Sequence, residues 1–247
     1  MQSPEPSPPD NPCAEEIIDL YERHARRWAE LRSTHLFEQP WLDTFLARVR
    51  PDGHILDIGC GNGTPVAAYF IRRGYRVTGI DASPTMIARC RRDFAQQQWM
   101  VADMRTLALG QQFDALLAWD SFFHLTRDAQ RAMFARFAAH ARPHAPLMFT
   151  SGTHDGEAIG RFEGDELYHA SLAPEAYRLL LETHGFELLK HVVNDPCCGG
   201  RTVWLAVKTP ESVPCNDRLS ARTTRGRQKI RQSARWLARR DAKLSLY

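Results

Sequence analysis

The sequence predicts an α/β fold: a doubly wound, mostly parallel sheet of seven strands, closed by an antiparallel hairpin and covered by a helical N-terminal cap. Three observations lead there. From His54 to Ser151, short apolar runs alternate with helical periods, the rhythm of parallel strands joined by crossover helices. Three glycines at alternate positions, Gly59, Gly61 and Gly63, follow the first run directly. The last two apolar runs are separated only by "PCCGG", too short for a crossover, so they pair antiparallel.

Each element has its own signal. Residues 1–12, "MQSPEPSPPDNP", are rich in proline and serine and read as a disordered leader. The methyl-to-aromatic spacing of Ile17, Leu20, Tyr21, Trp28 and Leu31 fits one helix, and a second runs from Trp41 to Val49, stopped by Pro51. Together they make the cap, residues 13–50. The core, residues 54–209, begins with strand "HILDIG", helix "TPVAAYFIRR" with proline in its first turn, and strand "GYRVTGID". Helix "SPTMIARCRRDF" has Ser83 as N-cap and Pro84 at its first position. Strands "QWMVAD" and "FDALLAWD", helix "RDAQRAMFARFAAHA" and strand "APLMFTSG" follow. The rhythm then breaks at a polar, glycine-containing insert, residues 153–172. Helix "PEAYRLLLETHG" and strands "FELLKHVVND" and "RTVWLAVK" complete the domain, 13–209.

With 247 residues and 43% hydrophobic content, one large core is expected. No apolar stretch reaches membrane-span length, and the N-terminus lacks the pattern of a secretory signal, so a cytoplasmic protein is expected. Six cysteines (Cys13, Cys60, Cys90, Cys197, Cys198, Cys215) show no C-x-x-C spacing, which reads as reduced thiols with no zinc site. Net charge is +3, yet residues 210–247 hold ten Lys/Arg against three Asp/Glu. That basic tail is a compositionally separate appendage.

The glycine loop decides the cofactor. A dinucleotide site wants G-x-G-x-x-G, and here the sixth position is Thr64. Asp57, two residues before Gly59, suits a ligand with a positive ammonium group better than a pyrophosphate. Asp81 ends the second strand, where a carboxylate accepts hydrogen bonds from ribose hydroxyls. In "LDIGCGNG", in the acid of "TGIDASPTMI" and in "VADMRTL", each at the carboxyl end of a predicted strand, the chain resembles the class I S-adenosylmethionine-dependent methyltransferases, whose fold is Rossmann-like.

The resemblance covers Ile17 to Lys208 and implies roles. Gly59, Gly61 and Gly63 admit the methionyl part and the adenosine of S-adenosylmethionine. Asp57 steadies the ammonium end, and the following helix N-terminus favours the cofactor's carboxylate. Asp81 holds the ribose, and Asp103 lies beside the adenine amino group, with Ala102 and Met104 as backbone or apolar contacts. Tyr21 and Trp28 match the aromatic pair that covers the cofactor. Cys60, Ala82, Met86 and Trp119 flank these motifs and complete the implied cofactor set.

The fourth strand ends "AWDSFFHL", facing the transferable methyl in this fold. Asp120 is the expected residue to bind or deprotonate an acceptor, and His124 the expected general base. Tyr168 and His169 in the insert are further candidates for the acceptor pocket, and His154 lies in the same insert. The Asn/Asp-Pro-Pro-Tyr/Phe pattern of enzymes that methylate exocyclic amines of bases is missing after the fourth strand. The cap and insert over the site favour a small-molecule acceptor, methylated at oxygen, nitrogen or sulfur. The alternative is RNA or protein methylation, with the basic tail binding the substrate.

Overall fold

The computed structural model describes residues 12–32 and 35–210; the leader to position 11 and the tail from 211 lie outside the described residues, as do the expectations for them. Seven strands form one sheet in the order β3-β2-β1-β4-β5-β9-β8. These are β1 (His54–Ile58), β2 (Arg76–Asp81), β3 (Gln98–Val101), β4 (Ala115–Ala118), β5 (Pro146–Ser151), β8 (Phe186–Asp195) and β9 (Arg201–Lys208). The first five are parallel, β9 runs antiparallel to β5, and β8 is antiparallel to β9. The predicted doubly wound sheet with its terminal hairpin is therefore the observed one.

Both faces are covered, which is why β1, β4 and β5 are buried at every position. On one face α4 (Gln39–Leu46), α5 (Val66–Arg72) and α6 (Pro84–Asp93) pack Phe45, Phe70 and Ile87 against Ile55, Val77 and Leu117. On the other, α7 (Arg127–His140) and α8 (Pro174–Thr183) pack Phe134, Phe137 and Tyr177 against Leu116, Phe149 and Trp204. Ser83 caps α6 as predicted, its hydroxyl accepting from Met86 N at 3.1 Å.

Two expectations need correction. The N-terminal helix is three short helices, α1 (Pro12–Glu15), α2 (Ile17–Arg23) and α3 (Ala25–Leu31). The chain turns at His24 (φ −100°, ψ 11°), whose ring reaches Asp165 at 2.9 Å. Leu31, expected on the apolar face, is 51% exposed. The insert is also more ordered than its composition suggests: β6 (Gly156–Phe162) and β7 (Asp165–Ser171) form a separate two-stranded antiparallel sheet. No helix among the described residues is long and apolar enough to cross a membrane.

Candidate active site

The parallel strands all end on one side, and the chemistry collects there. The β1 end is held by two bonds to one carbonyl: Gly59 N and Cys60 N donate to Ile80 O at 2.8 and 2.9 Å. Gly59 has φ +74°, and a Cβ there would lie 2.3 Å from Ser121 Cβ, so only glycine fits. Gly61, at φ +55°, would direct a Cβ at the Trp28 indole, 3.2 Å away. The loop's open face and the α3 indole thus bound one cavity. Gly63 is different: it does not line the cavity, and a Cβ there would meet Phe94 and Cys90 on the α6 side. A side chain at this position would crowd the packing of the loop on α6.

That first cavity is lined by Tyr21, Trp28, Asp57, Gly59, Cys60, Gly61, Asp81, Ala82, Met86, Ala102, Asp103, Met104, Trp119, Asp120 and His124. Apart from Gly63, every predicted site residue is brought together there. Four aspartates line it against two arginines, Arg32 and Arg105. Asp103 is held by Arg105 at 2.7 Å and caps the turn after β3, accepting from Arg105 N at 2.8 Å. Asp81 accepts from Gly61 N and Ser83 N, both at 2.9 Å. Burial raises its proton affinity, those two bonds offset the rise, and the charge of Glu22 adds to it.

Asp57 is buried, and burial together with the charge of Asp81 pushes its carboxyl up to about 7, with Arg32 opposing. The buried indole N–H of Trp119 has no hydrogen-bond partner among the described residues. A cavity with an uncompensated buried acid and an unspent donor suits a ligand carrying both a cation and an acceptor. The ammonium, sulfonium and carboxylate of S-adenosylmethionine supply that set, and Asp81 is placed for hydroxyls.

A second cavity, of about 580 Å³, adjoins the first and shares Tyr21, Trp28, Arg32, Asp120 and His124 with it. His154 and His169 line it; Tyr168 does not, and is fully buried. At the junction His124 Nδ1 lies 2.9 Å from Tyr168 O, and Nε2 lies 2.8 Å from Tyr21 Oη. Burial lowers the His124 pKa to about 4, against the opposing bond to Tyr168, so the ring is neutral. A carbonyl only accepts, so Nδ1 carries the proton and Nε2 accepts from the Tyr21 hydroxyl. Burial and the charges of Asp120 and Asp81 raise the Tyr21 pKa, keeping that hydroxyl protonated.

Asp120 is held by two arginines. Arg201 grips its carboxylate through Nε, at 2.8 and 2.9 Å, and through Nη2 at 2.6 Å, while Arg32 Nη1 approaches at 3.1 Å. The two guanidiniums hold this carboxylate in one orientation and pair its charge. Its backbone, at φ +49°, is tied to β5 by donation to Thr150 Oγ1 at 2.9 Å. Arg32, Arg201, Ser121 and Glu22 were not anticipated. Arg201 had a readable signal: an antiparallel last strand begins where parallel strands end, and Thr202 pairs with Ser151.

The cap is fastened on both sides. From α2, Glu22 accepts from Ser83 Oγ, from Thr85 Oγ1 at 2.6 Å and from Thr85 N at 3.2 Å, at the α6 N-terminus. Toward the hairpin, Arg23 and His24 reach Asp165 at 2.8 and 2.9 Å, and Arg27 reaches Glu163 at 3.2 Å.

Residues 55–144 match the family model described as a methyltransferase domain. The fold is that of the class I S-adenosylmethionine-dependent methyltransferases. Among curated relatives, it is 25% identical over 214 residues to an O-methyltransferase of Pyrenophora dematioidea, covering 73% of this chain and 79% of that one. It is 29% identical over 183 residues to the malonyl-[acyl-carrier protein] O-methyltransferase of Enterobacter lignolyticus, covering 72% and 66%. Among solved structures, the 1,6-didemethyltoxoflavin-N1-methyltransferase of Burkholderia thailandensis, with its acceptor and S-adenosylhomocysteine bound, superposes with a TM-score of 0.65. It is 20% identical, over 85% of this chain and 94% of that one. An S-adenosylmethionine-bound amino pentose methyltransferase of Micromonospora echinaspora gives a TM-score of 0.59 at 22% identity, over 76% and 96%.

Proposed function

We propose that this protein transfers a methyl group from S-adenosylmethionine to an oxygen or nitrogen of a small-molecule acceptor. The single observation that carries the reading is the pair of adjoining cavities. One suits the cofactor, the other is open, and both are walled at their junction by Tyr21, Trp28, Arg32, Asp120 and His124. When bound, the cofactor supplies an electrophilic methyl on a sulfonium. Asp57 and Asp81 fix the cationic and ribose parts, and Trp28 covers the glycine loop.

Holding two reactants in line contributes on the order of 7 kcal/mol or more toward the barrier. The rings of Tyr21 and Trp28 close the junction against water, and Arg201 and Arg32 hold Asp120 fixed beside it. The Tyr21 hydroxyl offers its free lone pairs to an acceptor's proton while donating its own hydrogen to His124. The relative named an O-methyltransferase and the structural neighbour that methylates N1 of 1,6-didemethyltoxoflavin support this reading.

The test is transfer of labelled methyl from S-adenosylmethionine into cell extract, with products sorted into small-molecule, RNA and protein fractions. Label in the small-molecule fraction is expected. Label confined to RNA or protein would refute the acceptor class, and failure to bind the cofactor would refute the activity.

A further inference from the structure

The second cavity looks cationic in sequence, since Arg32 and Arg201 line it, but its charge is balanced. Asp120 and Glu157 line it too. Asp120 is bound by both arginines, and Arg32 is also held at 3.3 Å by Glu38, which is 1% exposed. Arg201 Nη1 donates to Cys198 O at 3.3 Å, and its face lies over Phe37. Glu157 sits 3.9 Å from Arg127. An anionic acceptor would find both guanidiniums already paired with carboxylates and would meet two carboxylates in the wall.

Aromatic rings stand among the small and polar residues of the wall. Trp28 and Phe123 line it, and Phe123 stacks with His169 at 5.4 Å between centroids. At the junction stands the Tyr21–His124 pair, with its tautomer set by Tyr168 O. Such a pair has work to do only for an acceptor that must shed a proton. A carboxylate at neutral pH has none to shed.

Resting on the methyltransferase reading above, we infer that the acceptor is an uncharged, ring-bearing hydroxyl compound of phenol type, whose proton leaves through Tyr21 to His124, and that Asp120 excludes anionic acceptors. The step balances. The hydroxyl oxygen forms its bond to the methyl carbon as the carbon–sulfur bond breaks and its electron pair returns to sulfur. The hydroxyl proton passes to Tyr21 Oη as the Tyr21 proton passes to His124 Nε2. One positive charge is lost at sulfur and one appears on the imidazole, so the buried site holds the same net charge throughout. The imidazolium then releases its proton to solvent as the product leaves.

The experiment pairs binding with product chemistry on the full chain. With S-adenosylhomocysteine present, 4-methylphenol and its ring-matched carboxylate 4-methylbenzoate are titrated against the protein. The phenol is expected to bind at least tenfold tighter, and Asp120→Asn is expected to cut that preference at least tenfold. Should that variant fail to fold, Glu157→Gln is expected to shift it in the same direction. In parallel, labelled small-molecule product from extract is treated with alkali, which frees methanol from esters and leaves aryl ethers intact. Alkali-stable label is expected, and if neither ring compound binds measurably this result decides alone. A tighter benzoate, or mostly alkali-released label, would overturn the acceptor assignment while leaving the methyltransferase reading intact. Cofactor binding with no labelled product would sink both.

Discussion

At the scale of single residues, Asp57 couples the cofactor cavity to pH. Its carboxyl, pushed up to about 7 by burial and by Asp81, is partly protonated near neutrality before the cofactor arrives. A cation placed beside it favours the ionised form and lowers its proton affinity. Affinity is therefore full above about pH 7 and falls as pH drops below it, with a proton released on binding. Titrations near pH 6 in buffers of different ionisation enthalpy should detect that proton, and Asp57→Asn should abolish it. Buffer-independent heats would contradict the assignment.

The Tyr21–His124 pair makes a separate prediction. His124→Asn should lower kcat by roughly 10²–10⁴ with little change in cofactor affinity, and Tyr21→Phe should lose turnover while the ring still covers the cofactor. Equal losses of turnover and cofactor binding in both variants would reduce the pair to a wall. Neutrality of His124, held near a pKa of 4 by burial, also means that its own titration adds no inflection to kcat between pH 6 and 8. The residues legible in the sequence, Asp57, Gly59, Gly61 and Asp81, lie at strand ends where local spacing marks them. Arg32 and Arg201 were not legible in this way, because each meets Asp120 only through the fold, across 88 and 81 residues.

At the scale of elements, the cap is a roof pinned by charges. Charge-assisted hydrogen bonds contribute roughly 1.5–3 kcal/mol each, and Glu22 accepts three at the α6 N-terminus, where the helix dipole also favours an anion. Although burial works against it, those bonds hold the Glu22 carboxyl below its usual range. Glu22→Ala should loosen α2 over the cofactor cavity. The expected outcome is about tenfold weaker cofactor binding and faster proteolysis between residues 12 and 32, with the sheet's melting temperature little changed. Unchanged affinity and proteolysis would mean that the ion pairs to Asp165 and Glu163 hold the cap alone.

Sequence reasoning missed the β6–β7 hairpin for a physical reason. β6 is half-buried or exposed along its whole length, so no apolar alternation marks it as a strand. The single long N-terminal helix failed differently: its apolar period continues through the turn at His24, and nothing local, neither glycine nor proline, announces a break.

At the scale of the whole molecule, the parallel sheet and its hairpin were readable because the strands are short apolar runs, and only a short turn joins the last two. The domain's far boundary follows from the same logic. At the end of β9, Lys208 N donates to Ala145 O at 2.9 Å and Thr209 N to Gly185 O at 2.9 Å, the last backbone bonds of the body among the described residues. A chain ending at Pro210 is expected to melt within a few degrees of the full chain and to bind the cofactor equally well. A large fall in melting temperature would move the boundary into the tail.

The central claim is that the cavity between the glycine loop and the cap binds S-adenosylmethionine. It is tested most directly by calorimetric titration of that compound into the full chain and into Asp81→Ala. Two charge-assisted bonds to ribose hydroxyls at roughly 1.5–3 kcal/mol each, discounted for non-additivity, predict a loss of about tenfold to a few hundredfold in a variant that stays folded. Absence of binding to the unaltered chain, or equal affinity in the two proteins, would contradict the account.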